Sequence, residues 1–103
     1  MNYLKYFKDI KPKYGYYVIC GGDNLPYNGE LRDFVINNIG RIISRGYSTY
    51  RVTFDNIPSN IAVHFHKDDD SKLFLVLDAC NFLIVSDNKE DIELYIQSKK
   101  YNL

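Results

Sequence analysis

Between residues 31 and 45, the apolar side chains Leu31, Phe34, Val35, Ile39, Ile42 and Ile43 recur at three- and four-residue steps. That period draws one apolar stripe and predicts an amphipathic helix over 31–45. Asn28 suits its start, Arg41 and Arg45 its last turns, and Gly46 a left-handed stop. From Ser48 the period becomes two. Tyr50, Val52 and Phe54 alternate with Thr49, Arg51 and Thr53, which predicts a strand. After the turn "DNIPSN", Ile61, Val63 and Phe65 alternate with Ala62, His64 and His66, which predicts a second strand. After "KDDDS" comes "KLFLVLDA", apolar on both faces and therefore expected to be central and covered on both sides. "CNFLIVS" reads as a similar strand.

The flanks complete the pattern. "YLKYFKDI" puts Tyr3, Leu4 and Phe7 on one face of a short helix that stops before Pro12. "YGYYVIC" predicts a strand over 16–20, ending at Gly21 and Gly22. A last helix starts at Asp87 or Asn88 and turns Ile92, Tyr95 and Ile96 inward. The order α-β-α-β-β-β-β-α predicts one α+β domain over 1–103. Its expected architecture is an antiparallel meander of about four to five strands with helices packed on it.

Composition narrows the classes of function. A chain of 103 residues holds one hydrophobic core. Thirteen basic and thirteen acidic residues cancel, which argues against a dedicated nucleic-acid binder. Apolar runs stay far below the roughly 20 residues of a membrane span, and the N-terminus has no apolar signal core. A soluble, cytoplasmic protein with no membrane partner is expected. Cys20 and Cys80 follow strand-like residues and read as buried free thiols. Ten tyrosines and six phenylalanines, with no tryptophan, are an unusual aromatic load that suits half-buried positions and binding surfaces.

The candidate chemistry is thin. His64 and His66, two apart on the predicted strand, would share a face, with Asp68 on the same side by parity. Two-residue spacing alone is a weak metal motif, so a polar strand face running into a charged turn is preferred, and neither a metal nor a cofactor is expected. Pairing through the "DNIPSN" turn would place Arg51 near His64 and Thr49 near His66, an arrangement able to greet a phosphate or carboxylate. Cys20 before the glycine-rich loop lacks a histidine partner and the phosphate-cradling fingerprint. Asp78 in "DACN" reads as a turn residue.

By elimination the chain reads as a protein-binding domain. A bacterial immunity protein or antitoxin-type inhibitor that neutralises a toxin or effector, such as a nuclease, fits its size and neutrality. The expected binding surface combines the acidic turn of Asp68, Asp69 and Asp70 with loop tyrosines Tyr14, Tyr16, Tyr27 and Tyr47, and adds Arg51, His64 and His66. One alternative is a small phosphate-ester or metal-dependent enzyme using His64, His66 and Arg51. Another is a nucleic-acid-binding accessory protein, although direct nucleic-acid binding is disfavoured by the charge balance.

Overall fold

The computed structural model describes residues 11–100. The helix expected over "YLKYFKDI" lies outside them. The described chain is an α+β domain with six strands: β1 (Tyr17–Cys20), β2 (Gly40–Arg45), β3 (Thr49–Phe54), β4 (His66–Lys67), β5 (Leu73–Asp78) and β6 (Phe82–Ser86). Three helices accompany them: α1 (Gly29–Asn37), the single turn α2 (Ser59–Ala62) and α3 (Lys89–Lys100). All pairings are antiparallel, in the order β4-β5-β3-β2-β1-β6. The first three strands form a meander; β5 then joins β3, and β6 crosses to the far side of β1.

The helix expected over 31–45 is cut in two. Its first half is α1, but at Asn38 the backbone becomes extended (φ −131°, ψ 150°) and Gly40–Arg45 continues as β2. The asparagines explain the break. The Asn37 side-chain amide donates to the Asp33 carbonyl at 2.7 Å, and that of Asn38 donates to the Phe34 carbonyl at 2.8 Å. The Asn38 amide takes the Phe34 carbonyl that the Asn38 N–H would have used had the helix continued. Arg41 and Arg45 accordingly lie on a strand, and Gly46 closes a hairpin through its N–H to the Thr49 carbonyl. Asn28 precedes α1 without a side-chain capping bond.

The strand expected over 61–66 is also replaced. Pro58, Ser59 and Asn60 begin the turn α2, and consecutive backbone bonds from His64 to Ile61 and from Phe65 to Ala62 keep the chain coiled. Val63, expected in the core, is exposed. Only His66 and Lys67 are extended, opposite Phe74 and Leu73. β3 pairs instead with β5, setting Arg51 opposite Val76 and Thr49 opposite Asp78.

The sheet is curled. Asp78 and Phe82 are joined by the single 3-10 turn Ala79–Asn81, a reach of at most about 14 Å. On a flat sheet the four interstrand steps from β5 to β6 would span about 19 Å. Bulges between Ile42 and Ser44 and between Ile19 and Cys20 supply curvature. The inner face holds the main core, with Val18, Cys20, Ile42, Tyr50, Val52, Phe54, Leu75, Leu77 and Val85 packed under Val35 of α1. Phe34 meets Phe54 and Phe65 edge-on, at 5.6 and 6.4 Å between centroids, tying α1 to β3 and to the α2–β4 segment. On the outer face, Ile92 of α3 packs on Ile19 and Ile84.

β1 is buried on both faces, and so is the second half of β6, where Val85 faces the main core and Ile84 faces α3. β5 was expected to be buried on both faces, and this holds at Phe74 but not at its end: the two residues of β4 cover only Leu73 and Phe74, and Val76 is 38% exposed. The Tyr27 hydroxyl reaches the Val76 carbonyl at 3.4 Å and shields part of that edge. α3 makes its main contacts with β6 and β1, and its residues Lys89, Glu93 and Ile96 also border β2 and β3 across a groove on the outer face.

Candidate functional site: an outer-face groove beside an acidic turn

A groove of about 690 Å³ runs along this outer face, between α3 and the β2–β3 strands. Its floor is Ile39, Ile43 and Thr53. The break at Asn38 that ended α1 puts Arg41 on β2, facing outward opposite Thr53. The Arg41 guanidinium lies 5.7 Å from the Tyr17 ring centroid. Lys72, at the foot of the β4–β5 turn, and Lys89, in the first turn of α3, also line the groove. Among the described residues none of these three cations is held in an ion pair. Tyr14, 73% exposed just before β1, stands at the rim. Asp55 and Glu93 also border the groove, so its charge is mixed with a cationic excess.

The acidic turn adjoins the groove through Lys72. The Asp68 N–H donates to the Lys72 carbonyl, and the Ser71 N–H to the Asp68 carbonyl, both at 3.0 Å. Asp68 Oδ1 accepts from the N–H groups of Asp70 at 2.9 Å and Lys72 at 2.8 Å. One carboxylate of the three is therefore spent on building the turn, and Ser71 takes a left-handed conformation, φ 64°, to close it. Asp69 and Asp70 are exposed.

The other predicted residues are dispersed. Tyr16 and Tyr27 are half-buried against the main core. Burial holds the Tyr27 phenol above its usual range, and the nearby Cys20 adds to this. Tyr47 is fully exposed, but it sits in the β2–β3 hairpin, at the opposite end of β3 from the acidic turn and about 17 Å along that strand. His64 is exposed on the coil after α2 and does not share a strand face with His66. Arg51 and His66 do come together, although not as the expected hairpin would have them. Both contact Phe74: the guanidinium lies 4.6 Å from the ring centroid, and the imidazole stacks at 5.4 Å with planes 28° apart. Phe74 is thereby only 6% exposed on an otherwise open face. No residue pattern signals this partnership, because it depends on β5 pairing with both β3 and β4.

The weaker chemical candidates have structural occupations. Cys20 is buried, and burial pushes its thiol up to about 12. A thiol so held is not a nucleophile at neutral pH. The glycine-rich loop after it is already engaged: the Gly21 N–H donates to the Asn81 carbonyl at 2.9 Å, and Arg32 Nη2 donates to the Gly22 carbonyl at 3.2 Å. Asn81 Oδ1 accepts the Asp78 N–H at 3.0 Å, so Asp78 and Asn81 hold the 3-10 turn between β5 and β6. Cys80, expected to be buried, is exposed on that turn. Among the described residues no group of three or more His, Cys, Asp or Glu side chains gathers to hold a metal ion. No described helix is long and apolar enough to cross a membrane.

No family model matches the chain, and neither a curated protein nor a solved structure is significantly similar to it. Its own geometry carries the reading that follows.

Proposed function

We propose that this protein acts by binding another protein, as a small inhibitor of the immunity or antitoxin type whose partner is a toxin or effector. The observation that carries the reading is the exposed Tyr14 ring in one groove with the exposed cations Arg41, Lys72 and Lys89, none of which is in an ion pair among the described residues. An exposed aromatic with arginine at a concave centre is the composition of an interface hot spot. Asp69 and Asp70 add an opposite charge at one end of the same surface, which favours one orientation of an approaching partner.

The rival enzyme reading needs His64, His66 and Arg51 around one reacting group. The chain brings Arg51 and His66 to the Phe74 ring and leaves His64 on a separate coil. Retrieval of a partner by the immobilised chain, compared with the Tyr14→Ala variant, tests the proposal. A protein retained by the wild type and depleted by the variant supports it. Turnover of a small phosphate ester by the wild type, lost in His66→Ala and Arg51→Ala, would replace it with the enzyme reading.

A further inference from the structure

We propose that the outer-face groove receives an acidic, extended segment of the partner protein, whose carboxylates pair with Arg41, Lys72 and Lys89. This rests on the protein-binding reading above and names the chemistry of the surface that docks.

Arg41 comes from β2, Lys72 from the β4–β5 turn and Lys89 from α3, and the fold brings all three to one groove of about 690 Å³. Each is exposed, and among the described residues none has a carboxylate partner within the groove, although Asp55 and Glu93 line it too. Cations that meet no carboxylate among the described residues, with acids close by, can pair with external ones. The Arg41 guanidinium is partly fixed above the Tyr17 ring, which lowers the entropy lost on engaging a carboxylate.

The mixed lining decides between the two large anionic partners. A nucleic-acid strand carries a charge at every phosphate, so Asp55 and Glu93 would repel it along its track. A peptide carries discrete carboxylates separated by neutral backbone, and can place them at the cations while avoiding both acids. The groove also offers a backbone-binding amide, Asn56, and the exposed Tyr14 ring. Those are partners for a polypeptide.

Fluorescence anisotropy tests this with three labelled probes of equal length: a peptide of alternating glutamate and glycine, its lysine–glycine counterpart, and oligothymidylate. The glutamate peptide is expected to bind, to weaken as salt is raised, and to outbind both other probes. Combining Arg41→Gln, Lys72→Gln and Lys89→Gln should weaken it by about tenfold, as three exposed ion pairs of a few tenths of a kcal/mol each would give. Restoring charge with Lys72→Arg and Lys89→Arg beside native Arg41 should recover binding. All three residues are exposed, so an unchanged unfolding midpoint separates this loss from misfolding. Absence of glutamate-peptide binding, insensitivity to the triple substitution, or tighter binding of oligothymidylate each overturns the proposal. If a partner is still retrieved through Tyr14 in any of those cases, the protein-binding reading stands and the acidic-segment assignment alone fails.

Discussion

Gly40→Ala distinguishes the observed strand from the helix that the apolar pattern suggests. Within a helix over 31–45, alanine in place of an interior glycine would stabilise by about 0.5–1 kcal/mol. In the structure Gly40 is a buried β2 residue, and an added Cβ would lie 2.6 Å from Val52 Cγ1 and 3.1–3.2 Å from the Phe54 ring. Both neighbours are core residues, 0% and 6% exposed, so neither can swing into solvent. Overpacking of this kind costs about 1–3 kcal/mol, and alanine's less flexible unfolded state returns about 0.4–1 kcal/mol. The net is a loss of up to about 2.5 kcal/mol, so the two structures predict opposite signs. Urea unfolding followed by circular dichroism reads it as a lower midpoint at constant slope. Gly21→Ala is the internal comparison. Its added Cβ would also lie 2.6 Å from an atom, Leu83 Cδ1, but Leu83 is 44% exposed and free to move aside. Its cost should stay below about 1 kcal/mol, as for a surface adjustment. A Gly40→Ala protein as stable as the wild type, or more so, would refute the packing drawn for β2 and β3.

Asp68→Ala should cost about 1–2 kcal/mol by removing the acceptor of two backbone N–H bonds, whereas Asp68→Asn and the pair Asp69→Asn, Asp70→Asn should leave the urea midpoint nearly unchanged. A thiol reagent at mildly alkaline pH should label one cysteine per native chain, Cys80, and both after unfolding; rapid labelling of Cys20 in the folded protein would contradict its burial. The raised Cys20 pKa has a linkage consequence: stability should be complete below pH 9, where the thiol is protonated in both states, and fall as pH rises towards about 12, because only the unfolded thiol ionises in that interval. Cys20→Ala should flatten that alkaline slope. Arg51→Ala and His66→Gln should each cost about 0.5–1 kcal/mol by uncovering Phe74, while His64→Gln should be neutral; equal costs at the two histidines would contradict the separation of their roles.

Strong, unambiguous periods were legible in the sequence. The alternation of Tyr50, Val52 and Phe54 gave β3, the run from Leu73 gave β5, and Ile92 with Tyr95 marked the inner face of α3, whereas Ile96, expected beside them, is exposed at the groove. The failures lie where a pattern is short or serves two periods. Ile39, Ile42 and Ile43 fit a helical stripe, yet they are β-branched, Ile43 sits at a bulge of β2, and two consecutive asparagines had already closed the helix. Residues 61–65 alternate over too few positions to outweigh the helix start at Pro58 and Ser59. The groove was not legible at all, because Arg41, Lys72 and Lys89 come from three elements whose neighbourhood is set by a curled sheet. The acidic turn was visible, but not that Asp68 is consumed in building it.

The central claim, that the outer face binds a protein partner, is tested most directly by association and dissociation rates against the retrieved partner across a range of salt concentrations. Wild type, Tyr14→Ala, and the pair Asp69→Asn, Asp70→Asn would be compared. Tyr14→Ala should speed dissociation, at a cost of about 2 kcal/mol. The paired substitution should slow association, most at low salt. Rates unmoved by either change, and by salt, would contradict the assignment of this face as the binding surface.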